Sequence, residues 1–381
     1  MIEMDIRNFK SGKYVPQFQY KSFLPEKVNQ EWVVSDPAVN KLLEEANLRL
    51  GELNAFSMIV PDVDLFIRMH VVKEATTSSR IEGTQTHIDE AVLREDDINP
   101  EKRDDWKEVQ NYIQAMNSAL DELANLPVSS RLIQKAHELL LQGARGAEKL
   151  PGEYRRSQNW IGGATLRDAV FIPPHHDELS ALMSDLEQFM NNTEIHVPHL
   201  IKIAIAHYQF ETIHPFLDGN GRVGRLLITL YLVANRLLSK PTLYLSDFFE
   251  KNRQLYYDNL TLVRTHNDLT QWIKFFLAGV IDTASNGITV FQKILELRKE
   301  IEEKKIITLG RKITNAKSAL NYLYRYPVFT VNYLAEELGI SIPTANTIVK
   351  DFIRLNIIKE VSGNKRNRMY VFAEYLKLFE K

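Results

Sequence analysis

Cysteine is absent from this 381-residue chain. That absence removes disulfides, a thiolate nucleophile and Cys-ligated zinc from consideration, and it fits a reducing, cytoplasmic setting. No apolar run approaches the length of a membrane span, and the opening Met-Ile-Glu-Met-Asp-Ile lacks a basic-then-apolar leader layout. A membrane partner is therefore not expected. Net charge is also scarce, at −2, so no single-sign field covers the whole molecule. The content of 44% hydrophobic and 25% charged residues is ordinary for a globular chain, long enough for two or three domains.

The small net charge conceals an uneven distribution. Residues 308–381 hold 12 Lys+Arg against 6 Asp+Glu, leaving 35 basic and 43 acidic side chains for the rest. An acidic body with a basic tail directs any nucleic-acid contact to the tail.

Helical periodicity dominates the body. Apolar positions such as Leu42, Leu43, Ala46 and Leu48 mark one amphipathic run, and Leu65, Met69 and Val72 mark a second that begins after Pro61-Asp62 and stops at Gly83. Further helices are expected over 106–123, 130–141, 176–191, 197–210, 224–238, 246–265 and 269–284. Between 152 and 174 the texture changes: Gly162-Gly163, Val170-Phe171-Ile172 and Pro173-Pro174 predict an extended flap or hairpin. The charge-rich stretch 290–307 predicts a connecting helix.

The most chemically loaded segment is His214-Pro-Phe-Leu-Asp-Gly-Asn-Gly-Arg-Val-Gly-Arg225. His214 offers a base with an ordinary pKa of about 6.5. Asp218 is the loop's one carboxylate, and Mg²⁺ commonly takes one or two carboxylates beside phosphate and water. Gly219, Asn220 and Gly221 can expose successive N–H groups to an anion ahead of an apolar helix. Arg222 and Arg225 add permanently charged forks for phosphate oxygens, and Phe216 is expected to point inward and pin the loop. The stretch from Gly219 to Gly224 also spells G-x-G-x-x-G, but a helix precedes it where a dinucleotide fold requires a strand.

This string resembles the signature of the Fic family, HPFx(D/E)GNGRxxR, at every fixed position, and the resemblance extends over residues 25–284. It implies a mainly α fold: a Fic-type helical core with a β-hairpin flap over the site. It further implies a protein adenylyltransferase using ATP and Mg²⁺, in which His214 deprotonates a Tyr, Ser or Thr hydroxyl of a target protein. Asp218 would hold the metal, with Gly219, Asn220, Gly221 and Gly224 in the phosphate cradle. Arg225 would grip the γ-phosphate, with Arg222 supporting the phosphates or the loop. Residues 166–172 resemble the flap, and Tyr256-Tyr257 and Asn267 resemble positions near the adenine.

Upstream, Ser78-Ser-Arg-Ile-Glu82-Gly83 resembles the family's inhibitory motif, (S/T)xxxE(G/N). Ser78 and Glu82 stand four residues apart and so share a helix face. By that resemblance Glu82 would pair with Arg225 and deny the γ-phosphate its seat. Independently, a glutamate in a last helical turn meets the negative end of the macrodipole and needs a cation nearby.

The tail has helix-turn-helix grammar, with Leu334, Ala335 and Leu338 on one face, Gly339 at the turn, and Ser341 capping a second helix that has Pro343 in its first turn. Strands around Ser362 to Arg368 complete what resembles a small winged helix-turn-helix domain. Thr344, Asn346, Thr347 and Lys350 are its candidate base contacts in DNA, and Lys365, Arg366 and Arg368 its candidate phosphate contacts. The expected domains are 1–100, helical and carrying the inhibitory helix; 101–287, the catalytic core; 288–309, a connecting helix; and 310–381, the winged helix. Three alternatives stay open: removal of AMP rather than its addition, transfer of a different donor group, and a DNA-binding regulator with a nucleotide-sensing core. Homo-oligomerisation is open as well.

Overall fold

The computed structural model describes residues 3–143, 148–362 and 368–379. The chain is mainly helical, with three small sheets among the described residues, which agrees with the fold class read from the sequence. No helix among the described residues is long and apolar enough to cross a membrane.

The first departure lies in residues 3–33, which the helical reading of 1–100 did not separate. They form strands β1 (Glu3–Asp5), β2 (Gly12–Pro16), β3 (Lys21–Pro25) and β4 (Glu31–Val33). β1 pairs with β4 in parallel, and β2 with β3 as a hairpin. Pro16 and Pro25 close segments too short for a helix, and the aromatic positions Tyr14 and Phe23 pair across the hairpin.

Helices follow: α1 (Pro37–Ile59), α2 (Val63–Ile81), the short α3 (Ile88–Ala91), α4 (Arg103–Glu122) and α5 (Ser130–Leu140). Asp36 caps α1 through its side chain, with proline in the first turn. The flap is a bridge between Ile161 and Phe171, extended by a main-chain bond from Phe23 to Ile172. The core helices α6 (Leu179–Asn191), α7 (His199–Ile213) and α8 (Asn220–Ala234) come next. The expected 246–265 helix breaks at Asn252 into α9 (Ser246–Lys251) and α10 (Arg253–His266). α11 (Leu269–Glu300) instead runs unbroken past residue 284, because Phe291 and Ile294 extend its buried face. The expected connecting helix is thus, as far as Glu300, the far end of a core helix, and residues 301–312 continue it in a π turn and a 3-10 stretch broken at Gly310.

α7 is buried on every side, polar Lys202, His207, Gln209, Glu211 and Thr212 included. Such a helix is a central rod, and its polar groups must find partners inside the protein. α2 is nearly as enclosed, from Leu65 to Ile81.

The C-terminal unit comprises α12 (Ile313–Arg325), β5 (Val328–Thr330), α13 (Val331–Leu338), α14 (Ile342–Arg354), β6 (Lys359–Glu360) and β7 (Met369–Val371), with sheet order β5-β7-β6. Thr330 and Ser341 cap α13 and α14, and Gly339 turns between them at φ 62°. This unit packs directly on α2 and its neighbours. The Phe66 and Tyr324 rings lie 5.0 Å apart, the His70 and Phe379 rings 5.1 Å apart, and Arg68 sits 4.3 Å over Tyr326. Beyond α2, Arg94 lies 3.6 Å over the Tyr333 ring, whose hydroxyl donates to Asp97.

Candidate active site

The site forms where α7 ends and α8 begins. Helix α7 cannot continue into Pro215, and His214 turns out of it in the left-handed region (φ 50°, ψ 60°), its N–H still bonded to Phe210. A non-glycine residue there is strained and needs support. Asn159 Nδ2 donates to the carbonyls of His214 (3.2 Å) and Phe216 (2.9 Å), and Arg155 Nε donates to the carbonyl of His214.

Two clamps shape the rest of the loop. The Asn220 amide accepts from Phe216 N–H and donates to Phe216 C=O, both at 2.8 Å, so its side chain closes the loop rather than facing a ligand. Phe216 is fully buried and stacks on His137 with ring centroids 3.7 Å apart. Gly152 N–H donates to His137 Nδ1, so Nε2 carries the proton and donates to the Asp218 carbonyl at 3.0 Å. Burial lowers the His137 pKa to about 4, which keeps this tautomer neutral.

Helix α8 (Asn220–Ala234) begins four residues before the helix expected over 224–238. Gly219 stands at φ 77° ahead of the first turn, so the unpaired N–H groups of that turn come from the glycine-rich loop itself. A Cβ on Gly221 would collide with Glu82 Oε1, so a larger residue there would push the carboxylate away from this turn. Gly224 requires a correction. It lies inside α8 against α7, where a Cβ would run into Glu211 Oε1, and its carbonyl bonds His207. Its N–H belongs to the helix, so it serves close packing rather than the cradle.

Arg225 is 2% exposed. Its Nη2 donates to Glu82 Oε1 at 2.6 Å and to the Ser78 carbonyl at 2.9 Å, while Nε donates to Ser78 Oγ at 2.9 Å. The ends of α2 and α8 are therefore joined by one guanidinium. Arg222 is held differently, its Nη2 3.4 Å from Asp218 Oδ1 and its Nη1 3.5 Å from Glu108 Oε2 on α4. Asp218 is half-exposed, and its Oδ1 also accepts from Gly219 N–H.

The titratable groups fall into distinct states. Burial, reinforced by the Arg155 cation, lowers the His214 pKa to about 4, against weaker opposing pulls from the Glu211 main chain and Glu82. The imidazole is a free base at neutral pH, on a residue of intermediate exposure. Its Nδ1 is buried and lacks a well-formed hydrogen bond, the Glu211 carbonyl being near without closing one. Burial pushes the Glu211 carboxyl up to about 7, and its Oε1 has no partner among the described residues.

The residues assigned to an adenine pocket separate. Tyr256 is buried, bonds His207 Nε2 at 2.8 Å and stacks on Phe249, so it is core. Tyr257 is 37% exposed and close enough to Glu82 for that charge to raise its phenol pKa further, after burial. Asn267 caps α10 in the left-handed region, and its amide oxygen accepts from Ser11 N and Oγ. That oxygen ties down the N-terminal segment, which corrects its assignment to the base.

In the C-terminal unit, Thr344 pairs with Ser341, while Asn346 and Thr347 bond carbonyls of their own helix. Lys350 is exposed, and Arg368 pairs with Glu360. Lys365 and Arg366 lie outside the described residues.

Sequence reasoning missed His137, Arg155, Asn159, Glu108 and Glu211. The first four act through main-chain groups or cross-helix contacts and Glu211 through close packing against Gly224, and such roles leave no spacing pattern.

Comparison with known proteins joins this geometry to a family. Residues 40–121 match the Fic/DOC family N-terminal model and residues 127–232 the Fic/DOC family model. The chain is 35% identical over 125 residues to the protein adenylyltransferase Fic of Aedes aegypti, covering 32% of this chain and 22% of that protein. It is 41% identical over 83 residues to that of Drosophila erecta, covering 22% and 15%. The matches thus span about a fifth or less of the length of those relatives. In fold, the chain is similar to a Fic family protein from Desulfovibrio desulfuricans, with TM-score 0.55 and 23% identity over 90% of this chain and 98% of the other. A Fic domain containing signaling protein from Bacteroides thetaiotaomicron aligns with TM-score 0.54 and 18% identity over 67% and 97%. Two adjoining stretches of this chain, ahead of and including most of the loop's flanking helices, thus match Fic/DOC family models, and the helical core they build has the fold of solved Fic proteins.

Proposed function

We propose that this chain is a protein adenylyltransferase restrained by its own Glu82. The observation that carries the reading is a meeting of three groups around one loop. They are a proton-free imidazole, a glycine-lined helix N-terminus and a buried arginine bonded to a carboxylate from the end of α2. In the transfer, His214 takes the proton from a Tyr, Ser or Thr hydroxyl of the target. The hydroxyl oxygen forms a bond to the α-phosphorus of ATP, and the bond from that phosphorus to the bridging oxygen breaks, releasing pyrophosphate. First-turn N–H groups of α8 and the Arg225 guanidinium face the phosphate charge. Arg222, pinned between Asp218 and Glu108, keeps the loop from opening.

Asp218 fits a divalent cation: it is half-exposed, its Oδ1 alone is engaged among the described residues, and it borders the phosphate cradle. Bound there, Mg²⁺ would neutralise phosphate charge. Glu82 and a γ-phosphate are alternative anions for Arg225, so ATP seats productively only when the carboxylate withdraws.

The test incubates the Glu82→Gly protein with Mg²⁺ and each nucleoside triphosphate, then weighs intact chain and candidate targets. An adenylyl increment from ATP that vanishes on adding His214→Ala supports the reading; an increment from another donor, or none, overturns it. Removal of AMP is a second reading, favoured by one feature: Glu82 commits only Oε1 to Arg225, leaving Oε2 to orient a water. Loss of AMP from a modified target, dependent on Glu82, distinguishes it. The outer face of α14 is our candidate contact for duplex DNA, for which affinity should fall steeply with salt.

A further inference from the structure

Arg155 is 2% exposed and meets no carboxylate among the described residues. Leaving a cation buried without a counter-ion is costly, and packing alone would be served by a methionine. Each side-chain hydrogen bond that Arg155 makes among the described residues ends on a main-chain carbonyl. Nε donates to His214 (3.0 Å), Nη1 to Ser157 (3.2 Å), and Nη2 to Pro174 (2.6 Å) and Ile213 (3.5 Å). Its own N–H donates to the Pro215 carbonyl at 2.9 Å.

The placement explains why a cation is tolerated. Ile213 and His214 close helix α7, where carbonyls lack intrahelical partners and the macrodipole is negative. The guanidinium takes the place of the next helical turn, so the chain can leave at His214 without stranding those oxygens. Pro174 ends the extended segment running from the flap, whose Phe171 pairs with Ile161. One side chain therefore bridges the two elements that must approach a target: the flap and the residue bearing the base.

We infer that Arg155 is a positioning residue for group transfer, its guanidinium tying the His214 carbonyl to the end of the flap so that imidazole and incoming hydroxyl keep a common frame. The assignment rests on the reading of His214 as the base. The phosphate cradle is built separately, on α8 and Arg225, so loss of Arg155 should leave ATP binding largely intact. Its charge has a second effect. Several groups act on the His214 ring: Arg155 from the 150–160 loop and Arg264 from α10 oppose its protonation. Glu82 at the end of α2 and the Glu211 main chain on α7 favour it. Removing Arg155 takes away the largest of the opposing charges.

Arg155→Lys keeps a cation but loses the fork, whereas Arg155→Met loses both. In the full-length Glu82→Gly background, both variants should lower kcat by roughly 10²-fold, the cost of misplacing a reacting group by about an ångström. The KM for ATP should stay within about twofold of the parent, the outcome when transition-state rather than ground-state contacts are lost. In Arg155→Met alone, the imidazole should titrate at higher pH, read by NMR of labelled histidine with the His214 signal identified through His214→Ala. Unchanged kcat in both variants overturns the inference. So does a parallel loss of kcat and ATP binding that merely tracks a lower Tm. Should Arg155→Met fail to fold, Arg155→Lys still decides through its kcat-against-KM split. If no transfer is seen even in the parent, the adenylyltransferase reading fails. The titration then decides for Arg155 without it: an unchanged His214 titration in folded Arg155→Met overturns the inference.

Discussion

Replacing Glu82 with glycine removes one hydrogen bond from the set that holds Arg225, leaving both bonds to Ser78 in place. The guanidinium should therefore stay aimed at the first turn of α8 while losing its competing anion. A hydrogen bond to a charged group is worth about 1.5–3 kcal/mol net. At a factor of ten per 1.4 kcal/mol, productive seating of ATP should rise roughly 10- to 150-fold. Backbone strain does not confound the exchange, because Glu82 sits at φ −87° and ψ 0°, which glycine adopts freely. The assay is the initial rate of AMP incorporation from labelled ATP with Mg²⁺, for wild type, Glu82→Gln and Glu82→Gly. Glutamine retains an acceptor without the charge and should fall between the other two. A stability readout runs in parallel. The variant leaves a buried cation with only neutral partners, so its Tm should drop, and ATP should restore more of it than in wild type by supplying the missing anion. Equal rates in all three proteins, together with equal ATP-induced Tm shifts, would refute the competition between carboxylate and phosphate.

Other consequences are equally direct. Because His214 works as a base and its pKa is lowered to about 4, transfer by the Glu82→Gly form should hold steady as pH falls through 6.5 and be lost only near 4. An acid limb centred near 6.5 would mean that the ring is not desolvated. Asn220→Ala strands the buried Phe216 N–H and leaves its C=O with the Asn159 bond alone, and should cost about 1–3 kcal/mol in denaturant unfolding as well as most of the transfer rate. A stability loss within ~0.5 kcal/mol would show that the clamp is dispensable. Phe66→Ala empties a fully buried contact between α2 and Tyr324 and should cost about 3–5 kcal/mol. Basal transfer should rise too, because α2 carries Ser78 and Glu82; a lower Tm without any rise would uncouple the C-terminal unit from the brake.

Much of the helical architecture was legible because it rests on local periodicity. The faces of α2 and α4, the capped turn between α13 and α14, and the change of texture before Pro174 all follow from residues close in the chain. The four short strands ahead of α1 were not, since β1 finds its partner β4 only across the intervening hairpin. Gly224 and Asn267 show the complementary failure. Each sits within or near a motif, yet packing gives it a different role, the first against Glu211 and the second against Ser11.

By itself the sequence determined which chemical groups would share a loop. Histidine, carboxylate, glycines and arginines within twelve consecutive residues cannot be far apart, whatever the fold does. It also determined that Ser78 and Glu82 would share one side of a helix, because helical geometry is local. Only the tertiary structure decided what those groups face. Bringing Glu82 onto Arg225 requires α2 and α8 to pack across 143 residues of chain. Lowering the His214 pKa requires burial, reinforced by Arg155 and Arg264 from two other segments of the chain. Burial and long-range charge are properties of a packed interior, so no stretch of sequence contains them until the chain has folded.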